Sequence, residues 1–445
     1  MKKLVVFIFL VAAVQAQDLR VAPFSADVSP KVGDPVAYVA ARTILDPLSA
    51  RGIVLLGAGA PVVLCAVDFI GIGNEGHDAW RTALAAAAGT TPDRVAVHTL
   101  HQHDAPRADL GAERYLAEAG LGGRVFKDSY VKDTVARAAA AVRAAVPKAR
   151  RVTHVGVGQA RVDKVASNRR ILGPDGKVAI GRMSASRNPD AVAAPEGTID
   201  PFLRLLSFWD GDAPIASLTY YATHPQSHYG KGDVTSEFVG LARAAREKEL
   251  PGVAHIHFNG ASGNVAAGKY NDGSPENRPV LTARMAAGMR QAWESQRKTP
   301  VSARDASWSR RAVRLPDAPH LDRQQLRKTL LDPDARFEDR RGAAMHLAWL
   351  DRRGQVDVTR LRLGGVQIVH LPGELFVEYQ LAAQKMSPDG AVLLAAYGDY
   401  GPGYIGTAIA YTQGGYEVSP GASRVAPRVE EVLLGAMRQL LTAPQ

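Results

Sequence analysis

Apolar and polar positions along the chain switch between two periods. Short apolar runs at 52–56 and 61–69 flank a Gly-Ala-Gly-Ala-Pro turn at 57–61 and read as paired strands. An alanine-rich helical period follows over 78–88, closed by Gly89, and then a strand over 94–98. The same alternation continues with a helix over 129–146 and a strand pair over 151–162. A hairpin over 203–209 and 215–221 turns about Asp210-Gly211-Asp212-Ala213-Pro214. A helix over 236–249, a strand over 254–258 and a helix over 279–297 come next, then an interrupted helix over 324–353. The last part predicts a hairpin over 358–371 about Gly364-Gly365, a helix over 373–385, a strand over 391–396 and a helix over 430–441. Strands and helices interleaved by short connections predict an α/β (mixed α+β) fold. No repeat, coiled coil or linker divides the chain, so residues 17–445 form one large domain; two lobes sharing a cleft fit the same pattern.

The N-terminus follows a different rule. Met1-Lys2-Lys3, an apolar run over 4–14, and small residues at Val14 and Ala16 make a cleavable signal peptide over 1–16, which predicts a periplasmic or secreted protein. The run is too short to span a bilayer, and no later stretch is long and apolar enough to do so.

Composition changes the picture little. The net charge of +10 comes mostly from scattered arginines, with no dense basic block interleaved with aromatics. That pattern excludes a nucleic-acid partner and leaves only a weak attraction to anionic surfaces or substrates. The single cysteine, Cys65, lies in an apolar run and reads as a core thiol, so no intramolecular disulfide forms. Oligomeric state is not legible.

Chemistry concentrates where strands end. His98, His101 and His103, three of the twelve histidines, fall within six positions ahead of Asp104 and Pro106. Strand alternation would point His101 and His103 the same way. His224 follows the apolar run to Tyr221, Glu374 follows the run to Leu371, and Tyr400 and Tyr404 follow the run to Ala396. In α/β sheets ligands gather at strand ends. Two histidines, a third histidine and a glutamate suit a catalytic zinc shell with one position left for water. Asp104 reads either as an orienting partner of an imidazole or as a turn residue before proline. Asp68 and Glu237 are candidates for orienting the ligands, and His77, His154, His320 and His346 read as structural or surface residues.

Taken in order, the motifs resemble those of the neutral/alkaline non-lysosomal ceramidases, zinc amidases that split N-acyl sphingosines. His101-Gln102-His103-Asp104-Ala105-Pro106, Asn168-Arg169 and Ala222-Thr223-His224-Pro225 match that family, as do Gly263-Asn264-Val265, Pro372-Gly373-Glu374, and Tyr404 with Tyr416-Glu417. The resemblance implies zinc held by His101, His224, Glu374 and Tyr404, with His103 and Arg169 contacting the substrate carbonyl and transition state. Lys269, Tyr270 and Asp104 are expected to bind substrate. The chain departs from the family at Ala266, where its serine falls, with Ser262 nearby but out of register; zinc-activated water is then the expected nucleophile. It also carries polar loops over 228–233 and 269–278, which suit a small polar substrate better than the two hydrocarbon chains of ceramide, and with its last residue at Gln445 it is expected to lack the family's C-terminal immunoglobulin-like domain. The expectation is a secreted zinc-dependent hydrolase cleaving a C–N amide bond. An esterase or lactonase using the same site, and a non-catalytic periplasmic ligand-binding protein, are the alternatives.

Overall fold

The computed structural model describes residues 18–388 and 390–442; the predicted signal peptide lies outside these. Strands β1 (Arg20–Asp27), β2 (Ser49–Gly57) and β3 (Gly59–Val67) form an antiparallel meander. The β2–β3 turn requires positive φ at Gly57 and Gly59, which glycine adopts without steric cost. Helix α1 (Asn74–Ala88) then carries the chain across, so that β4 (Val95–Thr99) lies parallel to β3 at the sheet edge. Helices α2 (Leu110–Glu118) and α3 (Asp128–Ala145) follow.

The second sheet repeats this plan. Strands β5 (His154–Arg161), β6 (Phe202–Asp210) and β7 (Ala213–Tyr221) are antiparallel, α4 (Glu237–Glu249) crosses over, and β8 (Ala254–Asn259) pairs parallel with β7. Helix α5 (Asn277–Glu294) completes this layer. The third sheet does so again, with β9 (Ala306–Arg314), helices α6 (Arg323–Leu331) and α7 (Phe337–Arg352), β10 (Gln355–Leu363) and β11 (Val366–His370). Helix α8 (Val377–Met386) leads to β12 (Ala391–Ala395), parallel to β11, and α9 (Val429–Leu441) closes the chain.

Period-two alternation divides the apolar residues between two faces. Ile53, Leu55 and Leu64 of the first sheet meet Leu205, Leu218 and Ile256 of the second and Leu361, Ile368 and Leu393 of the third in one core. Val54, Val63 and Cys65 face the other way, against Trp80 and Leu84 of α1 and Val131 and Val142 of α3. Cys65 is buried and unpaired, as expected of a core thiol.

Three predicted elements differ. The helix expected from 373 begins at Val377, because Glu374–Leu375 forms a short parallel pair with Tyr404–Ile405 instead. The interrupted helix over 324–353 is two helices, α6 and α7. The strand expected to carry the first histidine pair ends at Thr99, so His101 and His103 lie beyond it.

Candidate metal centre and active site

The parallel edge strands β4, β8 and β12 bring the three sheets together. Thr99 N donates to Tyr397 O at 2.9 Å, Ala396 N to Asn259 O at 3.0 Å, and the Asn259 amide to Leu100 O at 3.1 Å. The carboxyl ends of β4, β7, β11 and β12 therefore open on one place, and each supplies a side chain to it.

His101 reaches that place through a turn, not through strand alternation. Its φ is 70°, a left-handed conformation that costs a non-glycine residue roughly 1 kcal/mol. Two bonds hold it there: His101 N to Phe69 O at 2.9 Å and Nδ1 to Ile70 O at 2.6 Å. Asp68, just before them, is fixed by Arg243 at 2.7 Å and by Ser49, which is a structural use of a residue read as a candidate for orienting the ligands. His224 is set in the same way, with Nδ1 donating to Ser262 O at 2.7 Å and its backbone N to Val265 O at 2.9 Å. A neutral imidazole that donates through Nδ1 carries its lone pair on Nε2.

Both Nε2 atoms face Glu374. Oε2 lies 3.1 Å from His101 Nε2 and 3.2 Å from His224 Nε2, while Oε1 accepts a 2.6 Å bond from the Tyr400 hydroxyl. The Tyr404 hydroxyl lies 3.2 Å from His224 Nε2. Burial lowers His224 to a pKa of about 4, so this ring is neutral at pH 7. Burial pushes Glu374 up, but the adjacent His101 and His224 outweigh it and hold the carboxylate well below its ordinary range. Nitrogen atoms facing a carboxylate oxygen at this distance require a proton or a cation among them.

The spacing suits a cation. With zinc–nitrogen and zinc–oxygen distances near 2.0–2.1 Å, tetrahedral ligand atoms stand about 3.3 Å apart. Three of the separations here, Glu374 to each histidine and Tyr404 to His224, are 3.1–3.2 Å and lie close to that figure. His101, His224 and Glu374, all buried, each offer one ligand atom within 4.8 Å of the others.

His103 stands beside this group. Its Nε2 is 3.3 Å from His101 Nε2, its Nδ1 meets the Tyr38 hydroxyl, and burial with the neighbouring His101 and His224 lowers its pKa well below the ordinary value. Arg169 lies behind the group and is buried. Its Nη1 donates to the Tyr404 hydroxyl at 3.1 Å, and its Nε pairs with Glu417 at 3.2 Å. Burial raises the Tyr404 phenol well above 10, while the Arg169 charge opposes that rise. A cavity of about 510 Å³ opens over His101, His103, Glu374, Tyr400 and Tyr404.

Solved structures share this architecture. A neutral ceramidase from Pseudomonas aeruginosa superposes with a TM-score of 0.72 at 18% identity, covering 96% of this chain and 75% of that one. A ceramidase complexed with C2 gives 0.68 at 16% identity over the same shares. The fold is neutral-ceramidase-like. No family model matches the sequence, and no curated protein sequence matches it either.

Within this ceramidase-like frame the remaining predicted residues take other positions. Lys269 Nζ donates to Val192 O and Ala194 O, both at 2.6 Å, and the Tyr270 hydroxyl donates to Glu196 at 2.5 Å. Asp104 accepts from Gly230 N at 2.9 Å and so holds the 228–233 loop, Glu237 accepts from Ser227 and Arg278, and neither lines the cavity. Ser262 is fully buried, with Oγ 2.8 Å from the Tyr397 hydroxyl, and Ala266 is fully buried in a two-residue pair with Ser167–Asn168. Sequence reading missed Tyr397, whose ring stacks on His101 at 4.8 Å, and noted Tyr400 only as following the same apolar run as Tyr404. The polar cluster after β12 was the available signal for both.

Proposed function

We propose that the chain is an exported zinc-dependent hydrolase that cleaves a linear amide bond in a small polar or amphiphilic N-acyl compound. The ion would be held by His101, His224, Glu374 and Tyr404. The carrying observation is that two buried Nε2 atoms stand 3.1 and 3.2 Å from one Glu374 oxygen, with all three atoms within 4.8 Å of one another and with His101 and Glu374 lining an open cavity. Zinc bound there supplies a Lewis acid for the scissile carbonyl and lowers the pKa of water to near 7.

The chain's own residues account for the rest. Ile70 O and Ser262 O fix the two imidazole tautomers, and the Tyr400 hydroxyl turns one carboxylate oxygen away from the ligand position. His103 is neutral and held at Nδ1 by Tyr38, so its Nε2 is placed to take a proton from the attacking water and return it to the leaving amine. Arg169 is committed to Tyr404 and Glu417, which supports a role in favouring the Tyr404 phenolate over direct contact with substrate. With Ser262 bonded to Tyr397 and alanine at 266, no serine nucleophile is available among these positions, which supports water as the nucleophile.

Elemental analysis of the purified protein, followed by assay on N-acyl amino acids, N-acyl amines and simple esters, tests the reading. About one zinc per chain, with amide turnover abolished in His101→Ala, is the expected result. A metal-free protein, or a zinc protein inert on every compound, refutes it; turnover of esters alone moves the assignment to an esterase.

A further inference from the structure

The cavity over the metal cluster is also lined by Arg107, Arg341 and Arg424. Such residues ordinarily pair with carboxylates when they leave water. Among the described residues, none of these three has an ion-pair partner. Arg107 makes no side-chain hydrogen bond, and its Nε is enclosed without an acceptor. Arg341 makes none either. Arg424 is 4% exposed and gives Nη1 to Gly401 O at 3.0 Å, while its Nε is enclosed and unpartnered.

The carboxylates nearby do not neutralise them. Asp339 is bonded to Arg336 at 2.8 Å, Glu374 faces the imidazoles, and Glu338 at the start of α7 lies beyond ion-pair distance of any of the three. His346 is neutral, since burial lowers it to about 3, and burial also lowers His320. After burial, the charge of Arg107 further lowers Arg341; on Arg424 it opposes the raising effect of Tyr400 and of Asp109, a carboxyl group bonded to Ala112 N and Asn74 and not to the arginine. Three unpaired guanidiniums thus share one cavity and repel one another, which is stable at low cost only when an anion arrives.

We infer that the substrate carries an oxyanion group (a carboxylate, sulfonate or phosphate) that seats on Arg107, Arg341 and Arg424 while its amide lies at the metal cluster. This rests on the hydrolase reading and narrows it to acidic N-acyl compounds. Planar forked guanidiniums bind such groups through paired N–H donors, and these charge-assisted bonds are about twice as strong as neutral ones.

Matched compounds give the test on the zinc-loaded protein: N-hexanoyl glycine, N-hexanoyl taurine and N-hexanoyl phosphoethanolamine against the neutral N-hexanoyl glycinamide. The anionic members should have kcat/KM at least about tenfold higher than the neutral one, and their ranking identifies the oxyanion. Arg107→Met, Arg341→Met and Arg424→Met should each cut that preference about tenfold or more, whereas Arg107→Lys should keep most of it. Arg424 is buried, so its variant is checked by thermal unfolding; half-buried Arg107 and Arg341 carry the result if it fails to fold. Equal handling of the neutral and anionic compounds, or a preference untouched by the methionine variants, overturns the inference. If nothing is turned over, calorimetric binding of the same compounds decides. An arginine-dependent preference then upholds the anion site and refutes only the hydrolase reading, and its absence refutes both.

Discussion

Replacing Tyr404 with phenylalanine asks whether the phenol is a metal ligand. The residue is 7% exposed, and phenylalanine keeps its volume, so the change removes the hydroxyl and its bonds to Arg169 and His224. Burial holds the phenol well above 10, so at pH 7 less than about one part in a thousand is phenolate. Ionising it at that pH costs at least about 4 kcal/mol, three units at 1.36 kcal/mol each, which the ion and Arg169 must offset. Zinc binding to the wild type therefore releases close to one proton more than binding to Tyr404→Phe. Protons released by water or by the other ligands are common to both proteins and cancel in the difference. Between about pH 7 and pH 9 the apparent affinity of the wild type should rise tenfold more per pH unit than that of the variant. Calorimetric titration in buffers of different ionisation enthalpy counts the protons, and chelator competition across the pH range gives the slopes. Equal proton counts and parallel slopes would refute the phenolate and leave zinc with three protein ligands.

Three further outcomes follow from the same geometry. Tyr400→Phe removes the 2.6 Å bond that orients Glu374 and should weaken zinc binding about 10- to 100-fold, measured by chelator competition. Stripping the metal should lower the thermal midpoint, and zinc restored to a hundredfold above its Kd should return about 2.7 kcal/mol of stability in denaturant titration. Asp109 caps α2 through Ala112 N, and burial raises its pKa to about 7. The folded protein thus holds a proton that the unfolded chain has released from about pH 4 upward, and this term costs stability as pH rises from about 4 to about 7. Asp109→Asn should therefore match the wild type in thermal unfolding at pH 4 and exceed it at pH 8. Asn74, whose Oδ1 has no partner, can rotate its amide to accept from the new side chain.

The fold was legible where period and turn chemistry were strong. The β2–β3 and β6–β7 hairpins and the crossover helices α1 and α4 lie close to where the apolar pattern puts them. The convergence of His101 and His103 was read for the wrong reason. Alternation along a strand was invoked, but the strand stops at Thr99 and a left-handed His101 makes the turn, held by carbonyls of residues thirty positions away. Local periodicity cannot report a conformation that only long-range bonds maintain. Glu374 was read at a helix start; its short pairing with Tyr404 depends on a segment thirty residues further on. Lys269 and Tyr270 were singled out by residue type, and their polar ends are taken up by carbonyls and a carboxylate near residues 192–196.

Charge shows the same limit most clearly. Along the chain the arginines look scattered, and their sum of +10 supports only a weak preference for anions. Folding sorts them: Arg243 goes to Asp68, Arg278 to Glu237, Arg352 to Asp78 and Arg169 to Glu417. Among the described residues, Arg107, Arg341 and Arg424 are left without such partners around the cavity that holds the candidate ligands. Leu326, Ala343, Met345, Pro420 and Ala422 supply aliphatic lining there, but they alternate with the arginines, histidines and tyrosines and form no continuous apolar groove of the kind two long hydrocarbon chains ask for. A shared fold fixes where strand ends meet, and hence where a metal cluster can form. Much of the cavity wall comes from helices α6 and α7 and from residues 416–424, which the sheets do not constrain, so the molecule cut can change while the cutting geometry stays.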